Sequence, residues 1–363
     1  MKEVQVLEIR MHQQKVGRMV LTSDYRCAFE YDVEYLKTGS SISPFHLPLK
    51  KEVFIAKRTP FEGGFGVFDD SLPDGWGNLI LDRYLKHKGI DPNTLTILQR
   101  LALIGSSGRG ALQYSPDFSE ANNNELLDFD KLAQETERIL MTESNGDCLE
   151  TLYQYGGSSG GARPKIFVQR DGKEWLVKFK ASLDPHTIGE TEYHYSLLAK
   201  QCGIEMPETR LFENKYFGVE RFDRTMEGKI HTISAAGLLN ANFREPSLDY
   251  ETLLQVCHVL TKNMEEVIKL FRIMVFNVVI KNRDDHAKNF SFQLINNEWQ
   301  LSPAYDLLPS SGFNGFHTTT VNNNGNPSNK DMIAVANRIG IPKQLAQAII
   351  EEISTIISSN KFR

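Results

Sequence analysis

The stretch from Asn263 to Ile280 has helical periodicity and ends in Ile273 to Ile280, which is apolar apart from Asn277. A helix of that composition has to lie inside a packed core. The segment after it cannot: Lys281-Asn-Arg-Asp-Asp-His-Ala-Lys-Asn289 is charged or polar at every position but one and runs straight into the strand-like Phe290-Ser-Phe-Gln-Leu. A charged loop held between a buried helix and a strand is displayed by the core rather than part of it. The chain is therefore expected to build a folded unit that presents these nine residues.

Composition narrows the class. The chain has 363 residues, 40% hydrophobic and 24% charged, which at roughly 150 residues per domain suggests two or three packed units. A formal net charge of −5 does not favour nucleic acid as the main partner, because phosphate backbones reward concentrated positive charge. Ile273 to Ile280 is far short of the ~20 residues of a membrane helix, and the N-terminal MKEVQVLEIR lacks the apolar centre of a signal peptide. Four dispersed cysteines without a CxxC spacing disfavour a disulfide framework or zinc site. A cytoplasmic protein without a membrane partner is expected.

The first hundred residues read as strands (Val4 to Met11, Lys15 to Leu21, Arg26 to Tyr31) followed by helices over Trp76 to His87 and near Thr94 to Leu103. Ser115 to Glu125, with three consecutive asparagines, is the expected linker. Beyond it, Lys165 to Gln169 and Trp175 to Phe179 read as strands paired around Arg170-Asp-Gly-Lys, and Glu190 to Gln201 as a helix. Two more strands follow, Thr209 to Phe212 and Tyr216 to Arg221. From Ser234 the pattern turns helical, ending in a helix over Pro342 to Ile357, while the Asn-rich Val321 to Asn329 reads as a mobile loop.

Five features in order point to one chemistry. Gly156-Gly-Ser-Ser-Gly-Gly-Ala-Arg-Pro-Lys165 directly precedes a strand, where converging backbone N–H groups could cradle a phosphate. By itself such a run is equally a flexible loop. Lys178, in Trp-Leu-Val-Lys-Phe, is either an edge-strand lysine or an ammonium for α/β phosphates. Glu192 on the next helix is either solvated or the residue that positions Lys178. Arg283-Asp284 followed five residues later by Asn289 has the spacing of a kinase catalytic loop, H-R-D-x-x-x-x-N. Asp306, in Ser302-Pro-Ala-Tyr-Asp306, ends the hairpin after that loop, where a kinase places its second Mg²⁺ ligand. Each has a plain structural reading, but their conjunction in kinase order favours a phosphoryl-transfer site. The glycine run is neither G-x-G-x-x-G nor a Walker A motif, and Tyr-Asp-Leu stands in place of Asp-Phe-Gly, so an ordinary eukaryotic-type kinase is excluded.

Together, Ser158-Ser-Gly-Gly-Ala-Arg-Pro-Lys165, Val177-Lys178-Phe, Val219-Glu-Arg-Phe-Asp-Arg224, Asp284-Asp-His-Ala-Lys-Asn-Phe-Ser291 and Pro303-Ala-Tyr-Asp306 resemble the HipA family of bacterial serine/threonine protein kinases, toxins of type II toxin–antitoxin systems. Phe68-Asp-Asp-Ser-Leu-Pro-Asp74 resembles the family's small accessory subdomain. The resemblance implies an α+β fold with a protein-kinase-like two-lobed core, a β-rich N-lobe and an all-α C-lobe, plus a small N-terminal β-rich accessory subdomain. The expected boundaries are residues 1–115 for the accessory subdomain, 116–230 for the N-lobe and 231–363 for the C-lobe.

Position by position, the resemblance implies Asp284 as general base, with Lys178, Asn289 and Asp306 completing the catalytic set and Asn289 and Asp306 holding Mg²⁺. Gly160, Gly161, Ala162, Arg163, Pro164 and Lys165 would cover ATP. Lys178 would contact its α/β phosphates, and Glu220, Arg221 and Phe222 would form the adenine hinge. His286, Lys288 and Tyr305 would line the nucleotide pocket. Ser158, or less well Ser159 beside it, would be autophosphorylated. The implied substrate is a protein hydroxyl, such as one on an aminoacyl-tRNA synthetase. The implied partner is a small helix-turn-helix antitoxin resembling HipB, through which alone DNA would be met. A small-molecule or lipid phosphotransferase and a catalytically silent antitoxin-binding module are the alternatives.

Overall fold

The structure is a computed structural model that describes residues 2–120, 127–141, 148–312 and 314–360. Residues 121–125 of the expected linker, Ser115 to Glu125, lie outside those residues. By contact density the chain forms two units: residues 1–190 with 210–231, and residues 191–209 with 232–363. Neither unit is one uninterrupted stretch.

The first unit begins with β1 (Val6–Met11), β2 (Gln14–Leu21), β3 (Cys27–Tyr31), α1 (Tyr35–Thr38), β4 (Val53–Ile55), α2 (Gly66–Asp69), α3 (Gly75–His87), α4 (Ile97–Ile104) and β5 (Gln113–Ser115). The strands form one sheet ordered β4-β3-β2-β1-β5, so Ser115, expected to open the linker, closes this sheet opposite Glu8. α4 starts at a capping box in which Thr96 and Gln99 satisfy each other's backbone N–H groups. Next come α5 (Phe129–Met141) and α6 (Leu149–Gly156), then β6 (Lys165–Arg170), β7 (Lys173–Lys178) and the start of α7 (Ile188–Gln201). After β8 (Thr209–Phe212) and β9 (Tyr216–Glu220), the short strands β10 (Arg224–Thr225) and β11 (Gly228–Lys229) pair with each other.

The second sheet of this unit runs β6-β7-β9-β8. The β6–β7 turn is Asp171-Gly172, both at positive φ, the two-residue hairpin whose twist matches its strands. Trp76, Leu81 and Tyr84 of α3, Leu152 and Tyr153 of α6, and Ile166, Trp175 and Val177 of the sheet share one buried cluster. The glycine-rich run thus leaves the end of a packed helix and enters a packed strand.

The second unit takes the rest of α7 and then β12 (His231–Ser234), α8 (Ala235–Leu239), β13 (Leu248–Asp249), α9 (Tyr250–Thr261), α10 (Met264–Ile280), β14 (Ser291–Ile295), β15 (Glu298–Leu301), β16 (Thr319–Thr320), α11 (Asn329–Ile339) and α12 (Lys343–Ser359). The lobe expected to be all-α is mainly helical but also carries two short sheets, β12-β14-β15 and β13-β16. In the three-stranded sheet, β12 gives backbone partners to β14 of the hairpin after the charged loop. Buried Glu266 on α10 accepts the Leu301 N–H at 2.7 Å and fixes that hairpin to the apolar helix.

The Asn-rich segment is held rather than mobile. Asp331 accepts from Asn322 Nδ2 (2.9 Å), Asn324 Nδ2 (3.2 Å) and the Ser328 N–H (2.8 Å), and Asp249 accepts the Asn323 N–H at 2.7 Å. Val321 is fully buried beneath it. Here asparagines act as hydrogen-bonding groups around a fixed carboxylate, not as a solvated tract.

Candidate active site

The charged loop after α10 is built around a buried carboxylate. Asp285 is fully buried; one oxygen accepts from the Tyr250 hydroxyl (3.0 Å) and His317 Nδ1 (2.8 Å), the other from the N–H groups of Thr318 (2.9 Å) and Thr319 (3.2 Å). Burial, and then the charge of Asp285, hold the Tyr250 phenol well above its ordinary pKa, so it remains a donor. Asp284, one residue earlier, alternates outward and is exposed. The loop then turns back, with Asn289 Nδ2 donating to the Asp284 carbonyl at 2.7 Å.

Asp306 is joined to the same framework. Asn282 Nδ2 donates to the Asp306 carbonyl (3.1 Å) and to Asn277 Oδ1 (3.0 Å), and Asn277 Nδ2 donates to the Tyr250 hydroxyl (3.0 Å). The polar break in the apolar helix is therefore a brace: it ties Asp306, through Tyr250, to Asp285. Asp306 itself sits in the left-handed region, φ 57°, which an aspartate tolerates better than most residues. Tyr305 donates to the Lys288 carbonyl at 2.6 Å, and His286 Nδ1 accepts the Lys288 N–H at 3.3 Å. Lys288 Nζ lies 4.0 Å from the centre of the Phe243 ring. The structure thus brings Asp284, His286, Lys288, Asn289, Tyr305 and Asp306 together within the second unit.

In the first unit, Lys165 and Lys178 stand opposite each other in the β6–β7 ladder, and the Phe179 N–H donates to the Pro164 carbonyl at 2.8 Å. The exit of the glycine-rich run is hence fixed to the strand that carries Lys178. Lys178 Nζ lies 5.6 Å from the Phe217 ring centre. Buried Lys165 reaches back to the Gly160 carbonyl at 2.6 Å, and Arg163 pairs with Asp184 at 2.9 Å. Ser159 is buried and donates to the Gly156 carbonyl at 2.6 Å, whereas Ser158 is half-buried, with its hydroxyl 3.4 Å from the Ser107 carbonyl. Gly160, Gly161 and Ala162 are exposed.

The 220–222 segment follows β9. The Arg221 N–H donates to the Glu174 carbonyl at 2.8 Å, and its guanidinium bonds Asp223 (3.0 Å), Glu174 (3.3 Å) and the Gly108 carbonyl (3.3 Å). Arg221 and Arg224 together keep the buried Asp223 carboxyl far below the ordinary carboxylate range despite burial. The Arg221 side chain is thus part of a buried ionic cluster, while Glu220 pairs with Lys173 at 2.9 Å. Glu192 is buried on the part of α7 that belongs to the second unit, and Lys178 belongs to the first.

Sequence reasoning missed Asp285, Asn277, Asn282, Tyr250 and His317 as parts of this framework. The doubled aspartate and the polar break in the helix were visible signals, but their partners lie 27 to 35 residues away.

The donor set suits a small hard cation. Asp306 has a carboxylate to offer such a cation, and because Asn289 uses Nδ2 on the Asp284 carbonyl, the oxygen of that amide is the atom it can offer a metal. Oxygen donors of this kind fit Mg²⁺ better than a metal that prefers thiolate or imidazole. Among the described residues no cluster of three or more His, Cys, Asp or Glu side chains forms, and no helix is long and apolar enough to cross a membrane.

Comparison with known proteins bears on the chain as a whole. Residues 157–360 match the model of the HipA-like C-terminal domain, and residues 7–115 that of the HipA N-terminal domain. A relative from Sinorhizobium fredii named "Putative kinase Y4dM" is 26% identical over 330 residues, covering 85% of this chain and 78% of its own length. The Escherichia coli protein named Toxin YjjJ is 24% identical over 169 residues, covering 42% of this chain and 38% of its own. A solved structure of the Shewanella oneidensis toxin–antitoxin complex of HipA, HipB and operator DNA superposes with a TM-score of 0.72, at 17% identity, covering 98% of this chain and 92% of that one. That likeness gives the fold.

Proposed function

The chain belongs to the HipA family, and on that premise we propose that it is an ATP- and Mg²⁺-dependent serine/threonine protein kinase that phosphorylates a protein hydroxyl in the cytoplasm. One observation carries the reading. Of two adjacent aspartates, the buried one anchors the loop and the exposed one is presented with Asn289 folded back onto its carbonyl. Placing a carboxylate and an amide oxygen together on a braced loop is what in-line phosphoryl transfer asks of a protein, since its catalysis is mostly positioning and charge stabilisation.

In this reading Asp284 Oδ accepts the proton of the incoming hydroxyl. Asn289 and Asp306 hold Mg²⁺, which when bound neutralises charge on the phosphates. Lys178 supplies an ammonium to the α/β phosphates, and the 160–165 loop covers the nucleotide. His286, Lys288 and Tyr305 shape the pocket from the catalytic loop side. Glu220 and Phe222 serve as the adenine hinge, and Arg221 keeps that hinge in place through Asp223 and Glu174.

Ser158 is the better acceptor for autophosphorylation, because the Ser159 hydroxyl is buried and bonded inward. A phosphate there adds about −1.5 to −2 charges to a loop meant to close over phosphates, so it would switch the enzyme off. Family membership supports growth arrest as the outcome; relief by a HipB-like helix-turn-helix antitoxin, and a translation component such as an aminoacyl-tRNA synthetase as target, complete the proposal.

The test is Asp284→Asn beside the wild type, both expressed in a bacterial host and assayed with radiolabelled ATP and phosphoproteomics. ATP–Mg²⁺ should still raise the Tm of the variant while phosphate transfer and toxicity disappear. Transfer at the wild-type rate by Asp284→Asn would remove Asp284 from the mechanism. ATP–Mg²⁺ stabilisation without transfer by the wild type would favour a silent binding module.

A further inference from the structure

The accessory region contains a segment that the proposed chemistry leaves unused: Asp74-Gly75-Trp76-Gly77, at the start of α3. Asp74 stands at the N-cap of that helix with extended backbone (φ −127°, ψ −179°), where an aspartate side chain normally accepts from the first helical amides. Its carboxylate makes no such cap. It accepts instead from the N–H of Gly161, in the glycine-rich loop, and the Trp76 N–H donates to the carbonyl of that same Gly161 at 3.0 Å. Both backbone polar groups of one loop residue are therefore taken by the helix start. Trp76 Nε1 adds a third tie, to the Lys165 carbonyl at 3.2 Å.

The two glycines make this approach possible. A methyl group on Gly77 would lie 2.2 Å from the Ser159 carbonyl oxygen, and one on Gly75 (φ +38°) 2.6 Å from the Gly161 carbonyl oxygen. Real side chains cannot occupy those positions, so the loop backbone lies directly against the helix start. Asp74 is buried while Gly160, Gly161 and Ala162 are exposed, so the loop is gripped from one side and open on the other.

We propose that Asp74 is a positioning residue for the nucleotide loop: with Trp76 it clamps Gly161 and so sets the conformation in which the 160–165 segment receives the phosphates of ATP. The inference rests on the kinase reading only for what the loop receives; the clamp itself is independent of it. Since both polar groups of Gly161 are occupied, that residue anchors the loop and the phosphate contacts come from its neighbours. A hydrogen bond to an ionised, buried carboxylate is among the stronger ones, and losing it should free the loop.

The experiment has two arms on the full chain. In hydrogen exchange without nucleotide, Asp74→Ala should speed exchange of the Gly161 amide by about tenfold or more, as loss of a charge-assisted bond predicts. Gly77→Ala, which keeps Asp74 but pushes on the Ser159 carbonyl, should also loosen residues 158–162. In steady-state kinetics, Asp74→Ala should raise KM for ATP about tenfold and change kcat much less, whereas Asp74→Asn, whose amide oxygen can accept the same N–H, should recover most of the loss. A merely structural role would lower Tm and the active fraction without separating KM from kcat.

Unchanged exchange at Gly161 in Asp74→Ala would overturn the clamp. Loosened exchange with an unchanged KM for ATP would overturn its role in positioning. If the wild type transfers no phosphate, the kinase reading fails, and the exchange arm still decides whether the clamp exists.

Discussion

Asp285 and Asp284 are neighbours in sequence, yet they should respond to substitution in opposite ways. Replacing Asp285 by Ala strands the Tyr250 hydroxyl, His317 Nδ1 and the amides of Thr318 and Thr319, all of which now bond the one carboxylate. Each buried donor left unmade costs about 1–3 kcal/mol. Removing the carboxylate also removes its own desolvation, so the low end applies, about 1 kcal/mol each and about 4 kcal/mol in all. That is a large part of a typical stability of about 5–15 kcal/mol. Asp285→Asn should cost less, about 1–2 kcal/mol, because its oxygen can keep the two amides while the Tyr250 hydroxyl and the His317 ring reorganise their protons. Asp284→Asn, at an exposed position, should stay within about 0.5 kcal/mol of the wild type. Urea denaturation of the three variants at constant m-value measures this directly. An Asp285→Ala protein within 1 kcal/mol of the wild type, or an Asp285→Asn protein as unstable as Asp285→Ala, would refute the anchoring role.

Two further outcomes follow from charge and hydrogen bonding. Burial, aided by the nearby Arg224 and Arg221 charges, lowers the Lys229 pKa to about 8, so the unfolded chain binds the extra proton between about pH 8 and 10.5 and stability should rise across that window; Lys229→Met should flatten the rise, as pH-dependent urea melts would show. Hydrogen bonds from Asn322 and Ser328 lower Asp331 to about 2, so its contribution is present above the ordinary carboxylate range and lost as pH falls toward 2; in Asp331→Ala, amides of 321–329 should exchange faster at neutral pH, and unchanged protection would show that the segment is held by something else.

What the sequence made legible was local. The Asp171-Gly172 turn and the helix that ends in the apolar Ile273 to Ile280 are each contained within one short stretch, and both stand where the sequence puts them. The helices α5 and α6 were missed; they join a core shared with α3 and the β6–β7 hairpin, so their faces make sense only once those partners are in place. The difference between Asp284 and Asp285 depends on Tyr250, 35 residues earlier, and His317, 32 residues later, and no window of sequence contains both. The Asn-rich tract looked unstructured because its composition is that of loops. Its order comes from Asp249, 74 residues from Asn323, as well as from nearby Asp331. The contact between Asp74 and Gly161 spans 87 residues.

The second unit takes residues 191–209 from the middle of the first. Those residues leave the ribosome early, but the carbonyl of Cys202 accepts from Arg272, 70 residues later. At about 5–20 residues per second, α7 has an unfinished end for roughly 4–14 s during synthesis. Throughout that interval the end of α7 at Cys202, buried in the finished protein, lacks the part of its surroundings that Arg272 and the rest of α10 supply. This stretch therefore stays incomplete while α10 is being made, and slower translation downstream would lengthen the wait.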